Sequence, residues 1–194
     1  MTISAPGRNF ELFELHIEEI SPTELIRISR HNSNEPYFGK SAGNRFDDPQ
    51  MRYGTSYFGF TLPCAFAETV LHDEVAGPTG FQLTAAQLDR YVLSFQGKLL
   101  NLAALYGPHL KNLGGNAAVS SMTPYDIPQQ WSRALHDHPA QVDGFLYMSN
   151  HLNDQKALVI FERAKDKLAV SNAIPFDCHP QAPQVFEIFR LFPI

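Results

Sequence analysis

Thr55-Ser56-Tyr57-Phe58-Gly59-Phe60, followed directly by Thr61-Leu62-Pro63-Cys64-Ala65-Phe66-Ala67-Glu68-Thr69-Val70-Leu71-His72-Asp73-Glu74-Val75, is the stretch that decides the fold. The first six residues are rich in aromatic and hydroxyl side chains, so residues 55–60 are predicted to form a strand. Thr61 or Leu62 then opens a helix, with Pro63 in the first turn where proline is tolerated. Gly77-Pro78 is expected to end it. On that helix Glu68 shares a face with Cys64, Leu71 and Val75, which stand at i−4, i+3 and i+7. A carboxylate is rarely set on an apolar face unless something pairs with it or uses it. Glu68 is therefore the first candidate functional residue.

Working outward, residues 23–29 (TELIRIS) alternate and are predicted to be a strand. Residues 30–54 are rich in Asn, Gly, Asp and Pro, and are expected to form a long irregular connection of the kind that often carries function. Downstream, 90–96 and 99–102 read as strands around a turn at Gly97. Residues 104–113 form a weak helix, and Thr123-Pro124 caps a better one reaching His136. Residues 143–149 (DGFLYMS) and 156–162 (KALVIFE) are predicted to pair as a hairpin. Residues 1–20 are a mixed leader, and QVFEIFRLF in the tail from 175 is expected to be a last strand. The sum is an α+β fold, a compact mixed sheet with flanking helices, in a single domain over 1–194.

Composition sets the outer limits. A chain of 194 residues with 44% apolar and 18% charged residues has enough material for one well-packed core. A formal net charge of −5 argues against general nucleic-acid binding, which needs a basic surface. Two cysteines, Cys64 and Cys178, stand outside any metal-ligand spacing, and no HExxH motif occurs, so no metal is expected. No run approaches the roughly 18 apolar residues of a membrane span, and the N-terminus lacks the layout of a signal peptide. The expectation is a cytoplasmic protein that contacts neither membrane nor nucleic acid.

Four further polar residues join Glu68 as candidates. Arg27 interrupts Ile26 and Ile28 and lies on the opposite strand face; alone it reads as a solvated arginine, but its planar fork suits phosphate or carboxylate. Arg45 sits in a glycine-containing loop beside Phe46, which can anchor it. Tyr57, in mid-strand, is either a core ring or a stacking platform for a flat ligand. Ser149 ends a strand bearing Phe145 and Tyr147, where serine most often caps a turn; it lies in no GxSxG elbow. Asp47-Asp48 read as loop solvation or turn formation, and His136 and His138 as partners of the last helical carbonyls.

In this order Arg27, Arg45-Phe46, SYFGFTLPCAFAET at 56–69, DGFLYMS at 143–149 and LVIFE at 158–162 resemble the RES family, named for an arginine, a glutamate and a serine. The resemblance covers about residues 23–162. It implies that Arg27, Glu68 and Ser149 are the naming residues, with Tyr57 and Arg45 matching a further tyrosine and arginine. Phe58-Gly59 departs from the small aliphatic pair often found after that tyrosine, a change that bears on the pocket wall. The resemblance further implies a fold similar to ADP-ribosyltransferase toxins and consumption of NAD. It implies a toxin held in check by a helix-turn-helix antitoxin over the active site, and allows a homodimer within that complex. Glu68, Arg27 and Tyr57 would be catalytic, and Arg27, Arg45, Tyr57 and Ser149 would hold NAD.

The residue chemistry agrees. Arginines suit a pyrophosphate, a tyrosine face suits a cationic nicotinamide, and a fixed carboxylate can stabilise the oxocarbenium-like centre left when nicotinamide departs. The rival expectation is a non-catalytic nucleotide-binding or protein-interaction domain on the same fold.

Overall fold

The computed structural model describes residues 3–194. The first two residues of the expected leader lie outside the described ones. The strands are β1 (Ile17–Ile20), β2 (Ile26–Ser29), β3 (Thr55–Gly59), β4 (Phe81–Leu83), β5 (Tyr91–Gly97), β6 (Leu100–Leu105), β7 (Gly144–Met148), β8 (Lys156–Phe161), β9 (Leu168–Pro175) and β10 (Leu191–Pro193). The helices are α1 (Leu62–Thr69), α2 (Ala85–Leu88), α3 (Gly107–Asn112), α4 (Asp126–Asp137) and α5 (Ala182–Phe189). This is the expected α+β architecture with a mixed sheet.

Eight strands form that sheet in the order β1-β6-β7-β8-β3-β2-β5-β9; β6 and β7 run parallel and their neighbours antiparallel. Leu102, Leu146, Leu158 and Ile160 from one half of the sheet share a core with Phe58, Leu93 and Phe95 from the other. The sheet therefore curls around one apolar layer. On its outer face α4 sends Trp131 and Leu135 onto Phe145 and Phe161, and α1 and α5 bring Phe66 and Val185 onto Ile28 and Val92.

Two features of this frame position the site. First, β2 and β3 are neighbours that share a single registered pair, Ile26 with Gly59, and part beyond it. Second, α1 starts close against β3. A Cβ on Gly59 would lie 2.9 Å from the Ala65 nitrogen, closer than packing allows, so glycine permits this approach. The Thr61 hydroxyl accepts from Cys64 N and caps the helix, while Leu62, Cys64, Ala65 and Phe66 are buried beneath it. Phe58 points into the curled layer, so within the Phe58-Gly59 pair only Gly59 acts on helix packing, and neither residue lines the cleft beside β2 and β3.

Several expected boundaries move. α1 ends at Thr69, because Val70 N and Leu71 N both bond Phe66 O and close the turn. Val75 is 89% exposed and shares no face with Glu68. β2 begins only at Ile26, since a Ser21–Glu24 capping box winds the preceding residues into a short 3-10 turn. β5 and β6 do not pair: β5 joins β2 and β9, and β6 joins β1 and β7. Ala104 and Leu105 belong to β6, not to a helix. Thr123 does not cap α4, whose N-cap is Tyr125. The tail forms α5 as well as a strand, and the leader contributes β1 to the main sheet. Neither histidine of HDHP holds an α4 carbonyl by its ring: His136 stacks on Tyr53 and bonds Asp137, and His138 Nε2 meets Phe13 O. No helix among the described residues is long and apolar enough to cross a membrane.

Candidate active site

A cleft of about 500 Å³ opens where β2 and β3 diverge, within the ~300–1,000 Å³ usual for small-molecule sites. Arg27, Arg45, Tyr57 and Glu68 all line it. A second cavity of about 320 Å³, with Tyr37, Lys40 and Thr55 in its wall, shares Arg27, Asn44 and Tyr57 with it.

Glu68 lies in the last turn of α1, facing the end of β7. Tyr147 Oη donates to its Oε2 at 2.9 Å, and Ser149 Oγ donates to its Oε1 at 2.5 Å. Each carboxylate oxygen is thus fixed by one hydroxyl, so the group is oriented before any ligand arrives. Burial pushes the Tyr147 phenol well above its ordinary range, and the Glu68 charge pushes it further. Tyr147 therefore remains a donor at any ordinary pH. Burial, followed by the same charge, raises the Cys64 thiol to about 12, which makes it an inert core group.

Ser149, expected to touch the ligand, is 2% exposed and does not line the cleft. Its hydroxyl donates to Glu68 and accepts from His151 N and Leu152 N. The turn-cap reading of this serine holds, while the expected ligand contact does not; from below, Ser149 instead sets the carboxylate.

Arg27 projects from β2 into the gap. Its Nη1 donates to Tyr57 O at 3.0 Å, supplying a cross-strand link where the ladder has lapsed, and its guanidinium lies 5.9 Å from the Phe58 ring centroid. Its Nε donates to Glu35 Oε2 at 3.1 Å.

Arg45 rests over the Tyr125 ring at 4.7 Å and donates to Met122 O, so it is held by residues just before α4. Phe46, fully buried against Phe145 and Tyr147, anchors the loop as expected. The Tyr57 hydroxyl points away from solvent, accepting from Phe46 N and donating to Asp47 Oδ1. That leaves the ring, not the hydroxyl, to meet a ligand. Burial raises this phenol well above its ordinary range, with the Asp47 charge second.

Of the two expectations for Asp47-Asp48, loop solvation is overturned, since both are 1% exposed, while turn formation holds, with Met51 N bonded to Asp48 O and Asp47 N to Asn44 O. Asp47 accepts from Ser41 Oγ, Asn44 N, Asn44 Nδ2, Thr55 Oγ1 and Tyr57 Oη. Asp48 accepts from Arg52 N and pairs with its guanidinium. A buried carboxylate is tolerated here because donors surround it, and this donor shell gives the loop its shape.

Sequence reasoning missed the opposite rim, formed by His72, Asp73, Asn150, His151 and Tyr125. The His72 and His151 rings lie 5.0 Å apart, and His72 Nδ1 sits 2.9 Å from Asp73 Oδ1. Burial lowers His151, which opposes the pull of Glu68. A usable signal existed for Tyr147, which stands two residues before Ser149 on one strand face; none existed for the rim, which joins three turns far apart in the chain. No group of three metal-ligating side chains occurs among the described residues.

Helix-flanked mixed sheet and polar cleft together define an α+β protein in which a preorganised carboxylate shares a cleft with two arginines. A family profile described as RES domain matches residues 24–182, most of the chain, and the chain belongs to that family. A curated relative, "Probable toxin y4kH" of Sinorhizobium fredii, is 35% identical over 68 residues, which is 34% of this chain. The match spans 53% of that relative's length. The fold is similar to a chain in the crystal structure of the M. tuberculosis MbcT–MbcA toxin–antitoxin complex, with a TM-score of 0.60 and 14% identity. That likeness covers 89% of this chain and 91% of the other.

Proposed function

We propose that this chain, as a single RES domain, consumes NAD by cleaving the bond between nicotinamide and ribose. The observation that carries the reading is the Glu68 carboxylate, oriented by Tyr147 and Ser149 at the wall of a cleft that also holds Arg27, Arg45 and Tyr57. When the glycosidic bond breaks, positive charge develops on the ribose. A preorganised carboxylate stabilises that charge without having to reorient, an effect worth about 10²–10³ in rate for one such group. Because nicotinamide departs as a neutral molecule, its release needs no protonating acid, and Glu68 acts by electrostatic stabilisation without a two-carboxylate acid–base cycle. The guanidinium of Arg27 or Arg45 would bind the pyrophosphate, and the free face of Tyr57 would carry a flat ring.

The likeness to a curated probable toxin and to a chain of a toxin–antitoxin complex supports a biological role as a toxin; on this reading it acts in the cytoplasm, where NAD is abundant. The likeness to a chain of a toxin–antitoxin complex also supports an antitoxin partner; on this reading the partner is of helix-turn-helix type and closes the cleft. The test is to incubate the pure protein with NAD and resolve the products. Nicotinamide with ADP-ribose means hydrolysis, ADP-ribose-1-phosphate formed only with added phosphate means phosphorolysis, and mass gained by a second protein means transfer. Intact NAD would instead favour a non-catalytic nucleotide-binding domain.

A further inference from the structure

We infer that Glu35 is a positioning residue for the cleft, acting through Arg27; the inference rests on the NAD reading above. Glu35 lies in the irregular 30–54 connection, with a side chain only 3% exposed. A carboxylate so deeply buried needs a full set of donors. Here they are Arg27 Nε on Oε2, Tyr37 N on Oε2 and Ser29 Oγ on Oε1. Ser29 and Arg27 are both on β2, one residue apart on the same side, so Glu35 clamps the connection onto that strand beside the cleft.

The clamp has a chemical consequence for Arg27. Glu35 occupies the Nε edge and Tyr57 O takes Nη1. Nη2 has no protein partner among the described residues, and Arg27 lines the cleft. The guanidinium is therefore held at two of its three nitrogens, with the third left for an anionic ligand. A free arginine would have to give up rotamer freedom on binding; this one has already done so. Glu35 itself lines neither cavity, so it acts only through the arginine.

Glu35→Ala removes the clamp, and Glu35→Gln keeps the shape while losing the charge. A Gln carbonyl can still accept from Arg27 and Tyr37 while its amide donates to Ser29 Oγ. The experiment measures NAD consumption by both variants and by Arg27→Ala, with melting temperature recorded for each. For Glu35→Ala the expected result is a KM raised roughly 10- to 100-fold, the span of one lost charge-assisted contact, with kcat changed far less. For Glu35→Gln most of that rise should be rescued. Unchanged KM in a folded Glu35→Ala protein would overturn the inference. So would a fall in kcat that tracks a lower melting temperature at constant KM, since that marks a merely structural role. Full turnover in Arg27→Ala would count against the NAD site itself, a separate failure.

Discussion

Residues 55–69 and residues 30–54 both line the cleft, yet they are held in place by different forces. The strand–helix unit depends on apolar burial: Phe58, Leu62, Cys64, Ala65 and Phe66 are each no more than 3% exposed, and Thr61 caps the helix. The connection has only one bridge to a strand, Gly39 with Thr55, and is shaped by Glu35, Asp47 and Asp48, whose carboxylates gather donors from their surroundings. Apolar patterning repeats at the period of the element that carries it, so it shows in a sequence. A polar hub has no period. It also fails differently, because removing its centre strands every donor at once.

The largest effect should come from the apolar unit's one charged product. Glu68→Gln preserves shape but removes the negative charge; its amide oxygen can still accept from Ser149 Oγ, while its amide nitrogen donates to Tyr147 Oη in place of accepting from it. NAD turnover should fall about 10²–10³-fold with the melting temperature unchanged; near-normal turnover in a folded variant would refute its role. Next, Asp47→Ala should cost on the order of 3 kcal/mol in a denaturant titration, because five donors lose their acceptor. Hydrogen exchange should then rise first in residues 41–54 and leave 55–69 protected. Equal loosening of both regions would erase the distinction drawn between them.

Smaller changes sharpen it. Tyr147→Phe and Ser149→Ala each remove one donor from Glu68, and each should lower kcat by roughly tenfold, with a double variant showing coupling. Thr61→Ala removes a helix cap and should cost about 1 kcal/mol while sparing the connection. The least effect concerns acid. His136 stacks on Tyr53, at the end of the connection, with centroids 3.7 Å apart, and burial lowers its pKa below the ordinary 6.5. Between 6.5 and the lower folded value the unfolded chain binds more protons, so stability is full above 6.5 and declines as pH falls through that window. His136→Phe should keep the stack and reduce that decline, as read from melting temperature against pH.

The same contrast explains what the sequence made legible. The strand at 55–59, the start of α1 and the β7–β8 hairpin were readable from patterning, and Glu68 from its place on an apolar helix face; Arg27, Arg45 and Tyr57 were singled out by the family resemblance, and Arg45 lies in the unpatterned connection. Glu68 does have the partners that an apolar helix face demands, although one of the residues placed on that face does not belong there: Val75 lies beyond the helix. Asp47 and Asp48 were misread because an Asp-Asp pair looks the same whether solvated or surrounded by donors. Glu35 was passed over for the same reason. β1 was hidden in a polar leader, since Glu18 and Glu19 are tolerated on an edge strand.

The most direct measurement is a crystal structure of Glu68→Gln soaked with NAD, the substitution being chosen to leave the dinucleotide intact. The account predicts the nicotinamide ribose against residue 68, a flat ring on the face of Tyr57, and the pyrophosphate within hydrogen-bond reach of Arg27 or Arg45. NAD bound elsewhere, for example in the apolar pocket beside Leu105, Leu110 and Met148, with the cleft vacant, would contradict it.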